Sequence, residues 1–102
     1  MTGNSLGFMI AKHSKRITFT VEGVKHIIAR HPEVNGMLRE IEETLRDPVL
    51  VKTSKYDKKV WLYYKFYEKH RGYLCVVVRI FNSEGVLLTC YITDRIKTGE
   101  MI

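Results

Sequence analysis

The stretch that decides the fold is Tyr73 to Thr93, YLCVVVRIFNSEGVLLTCYIT, which has the alternating pattern of two β-strands joined by a tight turn. Residues 82–85, Asn-Ser-Glu-Gly, are typical of a type I turn followed by a left-handed glycine that starts a G1 bulge. In this interpretation Arg79 faces Thr89 in the neighbouring strand. The register therefore predicts which side chains share a face of the sheet.

The two predicted faces differ in chemistry. One is aliphatic and consists of Leu74, Val76, Val78, Ile80, Val86, Leu88, Cys90 and Ile92. The other carries groups suited to contact with a polar ligand, namely Arg79, Thr89, Tyr91 and Thr93. Because an aliphatic sheet face must be buried, we expect helices to cover the first face and to leave the second open.

Two amphipathic helices are predicted before these strands. Thr20 is a suitable N-cap for the first helix, in which positions 24, 27, 28 and 31 form a stripe with i, i+3, i+4, i+7 spacing. Pro32 ends this helix, and a second helix runs to about Asp47. Further strands are predicted at 49–53 and 60–67, and a short edge strand at 16–19.

This order of elements predicts an α+β domain in which two N-terminal helices pack on one face of a mostly antiparallel sheet of four to five strands. Residues 16–102 form the single domain, and residues 1–15 are expected to be a flexible N-terminal arm. Cys75 and Cys90 fall on opposite faces of adjacent strands, so we expect packing thiols rather than a disulfide.

The chain has a formal net charge of +6 and a pI near 9.4. Such a basic surplus favours nucleic acid or another polyanion as a partner, although a merely soluble basic protein explains the charge about equally well. The sequence has no apolar run of 18 residues and no signal-peptide pattern, so we expect a cytoplasmic protein that does not contact the membrane.

The strand at 60–67, VWLYYKFY, adds aromatic and basic groups to the polar face. A five-residue loop at 68–72 is expected to place Trp61, Tyr63, Lys65 and Tyr67 on the same face as Arg79. Aromatic rings can stack on bases while cations hold phosphates, which suits single-stranded RNA. The alternative is that these rings form cross-strand pairs or pack on a partner protein.

Metal-independent RNA cleavage needs a base, a cation to stabilise the phosphate and an acid, and histidine is the usual proton exchanger near neutral pH. His31 lies on the apolar stripe, where a helix-end or core histidine is the simpler explanation. His26 is exposed and can act only if its helix reaches the edge of the sheet. His13 and His70 are expected to be solvated. The sequence shows no metal-ligand cluster and no nucleotide-binding loop, so neither a metal nor another cofactor is expected.

Several motifs resemble a known family. They are His26-Ile27, Arg30-His31-Pro32-Glu33, Asp47-Pro48, and Thr89, Tyr91 and Thr93 followed by Lys97 and Gly99. From Ile17 to the C-terminus the chain resembles the phage-associated Barnase, EndoU, Colicin and RelE-like nuclease domains, the BECR superfamily. The resemblance implies a metal-independent endoribonuclease with a toxin or phage-effector role. It also implies polar site positions at His26, Arg30, His31, Arg79, Thr89, Tyr91 and Thr93.

The leading hypothesis is RNA cleavage by attack of a 2′-hydroxyl on the phosphate. The expected catalytic residues are His26, His31, Arg79, Thr89, Tyr91 and Thr93. The expected RNA-binding residues are Arg30, Lys65, Trp61, Tyr63, Tyr67 and Lys97. An antitoxin or immunity protein is a further expected partner. The alternatives are a non-catalytic RNA- or protein-binding module and a phage structural accessory domain.

Overall fold

The computed structural model describes residues 5–102 and forms one six-stranded sheet with two helices on one side. The elements in chain order are β1 (Ser5–Ala11), β2 (Lys15–Thr20), α1 (Val21–Arg30), α2 (Leu38–Arg46), β3 (Leu50–Thr53), β4 (Val60–Tyr67), β5 (Gly72–Phe81) and β6 (Glu84–Thr93). Single 3₁₀ turns lie at Pro32–Val34 and Glu68–His70. Neither helix is long and apolar enough to cross a membrane, within the residues that the structure describes.

The sheet is mixed, with the strand order β1-β2-β6-β5-β4-β3. β2 and β6 run parallel, and every other neighbouring pair in this sheet of residues 5–102 is antiparallel. The prediction of two N-terminal helices on a sheet of four to five mostly antiparallel strands is therefore wrong. A β-hairpin precedes the helices and supplies the additional strand.

This hairpin lies where a flexible arm was predicted. Residues 5–11 alternate in exposure, with Met9 and Ala11 buried in the core, and β1 pairs with β2 along its length. The glycine, serine and asparagine at the start of the chain are typical of an arm, but the period-2 alternation that follows them is that of a strand. Residues 1–4 of the predicted arm lie outside the described residues.

α1 begins and ends where local chemistry predicts, and α2 ends at Arg46, beside the predicted Asp47, but α2 begins only at Leu38, after the 3₁₀ turn at Pro32–Val34. The hydroxyl of Thr20 accepts a hydrogen bond from the backbone N–H of Gly23 at 3.0 Å, which confirms Thr20 as the N-cap of α1. α1 ends at Arg30, just before Pro32. α2 packs against β1, β4 and β5, and its buried residues Ile41 and Leu45 face the sheet.

The hairpin of β5 and β6 differs from its predicted register. Phe81 faces Glu84, so the turn is the two-residue loop 82–83, with Asn82 in the left-handed region at φ 57°. The bulge lies at Leu88, opposite the step between Val77 and Val78, and not at Gly85. As a result Thr89 faces Val77 instead of Arg79.

The face assignment of the polar residues nevertheless holds beyond the bulge. The observed pairing there is shifted by two residues from the predicted one, and an even shift returns each side chain to the same face. Arg79, Thr89, Tyr91 and Thr93 therefore share the face away from the helices, called the outer face below. Val86 faces Arg79 on this side, so its predicted place on the aliphatic face is wrong.

The predicted face of the β4 side chains is wrong, because the loop between β4 and β5 is one residue shorter than predicted. The loop between β4 and β5 spans 68–71, since Gly72 already pairs with Tyr67, and Arg71 adopts the left-handed conformation that closes it. A loop shorter by one residue moves every side chain of β4 to the other face. Trp61 faces Val78 on the helix side, while Leu62 faces Val77 on the outer face.

Candidate active site

The outer face is apolar at its centre. Leu62, Tyr64 and Cys75 are buried there, and Ile96 of the C-terminal segment, residues 94–102, packs against them. The backbone N–H of Lys97 donates to the hydroxyl of Tyr64 at 3.0 Å. The chain's own C-terminal segment therefore covers part of the outer face and fixes the position of Lys97.

A groove of about 550 Å³ remains on this face, called the outer groove here. It is lined by Ser54, Lys55, Tyr56, Val60, Leu62, Val77, Thr89, Tyr91, Arg95, Ile96, Lys97 and Thr98. Its floor is formed by strand residues, and its cations, Lys55, Arg95 and Lys97, come from the flanking segments. A concave apolar surface rimmed by a few charged groups is the usual form of a ligand site.

Tyr91 is one of the residues that line this groove. Its hydroxyl is buried and makes no hydrogen bond of regular geometry with any residue in 5–102. Burial, together with the neighbouring Cys75 thiol, raises the pKa of Tyr91 well above its ordinary value. Burial likewise raises the pKa of Cys75. The pair therefore stays protonated and neutral near neutral pH.

His31 lies against the ring of Tyr91, with 5.5 Å between ring centroids and 34° between ring planes. It is the C-cap of α1, and its backbone N–H donates to the carbonyl of Ile27 at 2.7 Å. The 3₁₀ turn that follows contacts β6. β2 pairs with β6 only at Glu84–Val86, so the end of α1 reaches a stretch of β6 that has no strand neighbour on that side within 5–102.

The Glu33 carboxylate lies close to the imidazole of His31. Its Oε2 lies 3.7 Å from His31 Nδ1 and accepts a long hydrogen bond from the backbone N–H of Ile92 at 3.4 Å. Pro32 starts the single 3₁₀ turn that brings this carboxylate back to the imidazole. With Nδ1 turned toward Glu33, the Nε2 atom remains for proton exchange.

Lys97 completes the arrangement from the other side. Its Nζ lies 5.5 Å from the centroid of the Tyr91 ring, a cation–π distance. His31, Glu33, Tyr91 and Lys97 are called the His31 cluster below. One aromatic ring thus joins an oriented imidazole to an ammonium group beside the outer groove.

Arg79 lies on the outer face but away from this cluster. Its Nη1 is 2.8 Å from Oδ2 of Asp57, and it faces Val86. Tyr91 faces Cys75, four strand positions from Arg79, which is about 13 Å along the strand. The backbone N–H of Lys59, followed by the guanidinium of Arg79, lowers the pKa of Asp57. The structure therefore gives Arg79 an ion pair that orders the loop before β4.

The two threonines of β6 have different surroundings. Thr89 lines the outer groove. The Thr93 hydroxyl accepts from the backbone N–H of Arg95 at 3.1 Å and lies 3.2 Å from the Arg95 carbonyl. Thr93 therefore shapes the turn into the C-terminal segment, and Thr89 is the threonine that a ligand in the groove can reach.

Three residues that we predicted to bind RNA lie on the helix side instead. The buried Tyr63 donates its hydroxyl hydrogen to the Lys12 carbonyl at 2.8 Å. The Tyr67 hydroxyl lies 3.1 Å from the Glu40 carbonyl and 3.0 Å from Glu43, and Lys65 Nζ lies 3.0 Å from the Asp47 carbonyl. The Tyr67 and Lys65 contacts join β4 to α2 and its C-terminal end, and the Tyr63 contact joins β4 to the turn between β1 and β2. Trp61 is also on this side but lines a separate groove, described below.

His26 and Arg30 are exposed on α1. His26 precedes His31 by five positions, which is about 140° around a helix, so the two imidazoles point in different directions. Of the two histidines proposed from the sequence, His31 is the one that contacts a residue of the outer groove.

Glu33 is the residue of the cluster that our sequence-based site omitted. A local sequence pattern could have indicated Glu33, which follows His31 by two positions and comes directly after Pro32. When a proline starts a turn, the carboxylate after it can return to the histidine before it. Within residues 5–102, no group of three His, Cys, Asp or Glu side chains is arranged to hold a metal ion.

Comparisons with known proteins do not assign this chain to a family. No family model matches the chain, and no curated protein or solved structure matches it either. The function is therefore argued from the His31 cluster and the outer groove.

Proposed function

We propose that this protein is an endoribonuclease that cleaves RNA by attack of a 2′-hydroxyl on the adjacent phosphate, without a metal ion. The observation that carries the proposal is the contact of His31 with the Tyr91 ring at 5.5 Å, with the Lys97 ammonium 5.5 Å from the same ring. A proton acceptor and a cation beside one groove are two of the three groups that this reaction requires, and solvent water can supply the acid.

In this mechanism Nε2 of His31 accepts the proton of the 2′-hydroxyl, and the Glu33 carboxylate, 3.7 Å from Nδ1, stabilises the imidazolium that forms. The bond from the 2′-oxygen to phosphorus forms, and the bond from phosphorus to the 5′-oxygen breaks. The leaving 5′-oxygen takes a proton from solvent water, because the buried Tyr91 hydroxyl faces Cys75 and not the groove. The products are a 2′,3′-cyclic phosphate and a 5′-hydroxyl.

The cations around the groove support this assignment. Lys55, Arg95 and Lys97 line it, and the whole chain carries +6. Lys97 is best placed to stabilise the crowded phosphate, because its backbone is tied to Tyr64 and its ammonium is held over Tyr91. The exposed cations increase the local concentration of RNA through the long-range field.

We also propose, from the motifs quoted above, that the chain belongs to the BECR superfamily. Its His-Pro-Glu and Tyr91 motifs are far apart in sequence and meet in the His31 cluster. The cytoplasm as the place of action, a toxin or phage-effector role, and restraint by an antitoxin or immunity protein belong to this proposal as well.

The test is incubation of the pure protein with total RNA in excess EDTA, followed by mapping of the fragment ends. We expect cyclic phosphate and 5′-hydroxyl ends, and a rate that falls about 10²- to 10⁴-fold for His31→Ala. His70→Ala is the matched control, because His70 lies in the 3₁₀ turn between β4 and β5, away from the cluster. No cleavage by the intact protein, or equal rates for His31→Ala and the control, would overturn the proposal.

A non-catalytic RNA-binding module is the second candidate. The specific observation in its favour is a basic groove around Trp61, which does not include His31 or Tyr91. Binding of RNA without cleavage would support it over the enzyme.

A further inference from the structure

A second groove, of about 390 Å³, lies where β4 begins and the β5–β6 hairpin turns, and it is called the Trp61 groove here. It is lined by Lys15, Lys58, Lys59, Trp61, Ile80, Phe81 and Asn82. Three lysines around the single tryptophan of the chain give it a character different from that of the outer groove.

The indole of Trp61 is oriented by the protein itself. Its N–H donates to the Lys58 carbonyl at 3.2 Å, so the polar edge of the ring is already satisfied. Lys15 Nζ lies 5.2 Å from the ring centroid, and the His13 ring meets the indole edge-on at 6.1 Å. Trp61 also packs against the hydrophobic core, so a base that stacks on the part of the ring that lines the groove would replace Lys15 Nζ over it.

The lysines of this groove are only partly neutralised. Lys58 lies 3.4 Å from Glu100, but both side chains are more than two-thirds exposed, so the ion pair is weak. Asp57, the nearby carboxylate in the same loop, is engaged by Arg79 at 2.8 Å. Lys15 Nζ contacts the Asn82 carbonyl at 2.6 Å, a neutral partner that leaves its charge uncompensated.

The chemistry that fits this surface is a base with its phosphates. Aromatic side chains stack on nucleobases irrespective of sequence, and lysines around them track the phosphate backbone. The hydrogen-bonding edge of the indole is occupied, so recognition proceeds through the ring face and is expected to be tolerant of base identity.

One loop connects the two grooves. Ser54, Lys55 and Tyr56 line the outer groove, and Lys58 and Lys59 line the Trp61 groove. The two grooves lie on opposite faces of the sheet, so a nucleic-acid strand that occupied both would have to pass over this loop.

We propose that the Trp61 groove is a docking site for single-stranded RNA, in which a base stacks on Trp61 and Lys15, Lys58 and Lys59 hold the flanking phosphates. The identity of the ligand as RNA rests on the proposed function, but the site itself is independent of catalysis. It positions the strand, and it takes no part in the chemical step.

The single tryptophan makes a direct test feasible, because all indole fluorescence comes from this groove. The probe is a 2′-O-methylated oligonucleotide, which lacks the nucleophile and so cannot be cleaved by the proposed reaction. We expect saturable quenching of Trp61 that weakens as salt rises, because phosphate contacts release counterions. The same quenching is expected for His31→Ala, since His31 does not line this groove.

The matched variants have equal net charge. Lys58→Ala/Lys59→Ala removes two groove cations, and we expect about a tenfold loss of affinity with a smaller salt dependence. Lys25→Ala/Lys69→Ala removes two exposed lysines elsewhere and should bind nearly as the parent does. If both double variants lose affinity equally, attraction is only non-specific and the site is overturned.

The outcomes also separate this proposal from the nuclease. Cleavage of RNA with no quenching, while a labelled strand still binds, sinks the Trp61 site and leaves the enzyme standing. Quenching without cleavage of any RNA supports the Trp61 site and sinks the enzyme. The lysine variants are surface changes, so these results do not depend on a Trp61 variant that folds.

Discussion

The Glu33 carboxylate lies 3.7 Å from Nδ1 of His31, and the same oxygen is held by the backbone N–H of Ile92 in β6. This relationship brings an imidazole at the end of a helix to a stretch of β6 that pairs with β5 but has no strand neighbour on its other side within residues 5–102. A base that is oriented in this way is more effective than a freely rotating one, because less ordering is needed at the moment of reaction.

Glu33→Ala should therefore slow RNA cleavage through kcat. We expect about a tenfold fall in kcat with little change in KM, because Glu33 positions His31 without lining the groove. Glu33→Gln keeps an oxygen acceptor and should recover part of the rate. A fall confined to KM would contradict an orienting role. Steady-state kinetics on a short fluorogenic RNA measures the difference.

Lys97 offers a test of phosphate stabilisation. Lys97→Ala removes the ammonium beside Tyr91 but keeps the backbone N–H that donates to Tyr64, so the C-terminal segment should stay in place. We expect kcat/KM to fall about 10²-fold, and Lys97→Arg to retain much of it. Lys69→Ala is the control of equal charge, because Lys69 is exposed in the 3₁₀ turn 68–70. Equal losses for Lys97→Ala and the control would point to general electrostatics alone.

Two tyrosines of the outer face give opposite expectations for stability. Tyr91→Phe deletes a buried hydroxyl that has no regular hydrogen bond within 5–102, so the free energy of unfolding should stay the same or rise. Tyr64→Phe leaves the N–H of Lys97 without its acceptor and should cost about 1 kcal/mol. Urea unfolding of both variants measures the difference. A larger loss for Tyr91→Phe than for Tyr64→Phe would contradict this account.

The sequence predicted correctly which polar residues of β5 and β6 share a face, but it predicted the wrong turn and the wrong position of the bulge. Arg79, Thr89, Tyr91 and Thr93 share a face because the shorter turn and the bulge at Leu88 together shift the register by an even number. The loop before Gly72 differs by one residue, an odd number, and Trp61 and its companions therefore lie on the helix side. Periodicity defines which residues alternate, but turn length decides the face.

The candidate site depended on contacts that no local pattern contains. The stripe of α1 includes His31, and the pattern favoured a helix-end or core role. His31 is a catalytic candidate because it reaches Tyr91 at the edge of β6. This edge is accessible to the end of α1 because β2 pairs with β6 only as far as Val86. Arg79 was predicted to be catalytic, but the structure gives it an ion pair with Asp57. The sequence could not predict this pair, because Asp57 lies in a loop whose path the sequence does not specify.

Replacing Gly85 should destabilise the protein because a side chain at this position has no space, and not because the turn requires a glycine. A Cβ at this position would lie 2.8 Å from Cδ1 of Ile17 and 2.9 Å from the carbonyl of Arg79, both within the sheet. Gly85→Ala is expected to lower the free energy of unfolding by about 1–3 kcal/mol, measured by thermal or urea unfolding. Ser83→Ala, in the exposed turn nearby, should change it by less than about 0.5 kcal/mol. Similar values for the two variants would contradict the close packing of β2 on β6.

Alkaline pH should unfold the protein through its buried phenols. Burial raises the pKa of Tyr64 and of Tyr67 from the ordinary 10 to about 12. A raised folded-state pKa gives a contribution to stability that is fully present below pH 10 and is lost as pH rises through about 12. The free energy of unfolding should therefore decline with pH over this interval. Tyr67→Phe should make the decline shallower, because one proton fewer is released on unfolding. Urea titrations at a series of pH values measure the slope, with recovery of the signal on return to neutral pH as the control for irreversible damage. A slope that Tyr67→Phe leaves unchanged would show that this phenol titrates alike in the folded and unfolded chain, against its hydroxyl being held between Glu40 and Glu43.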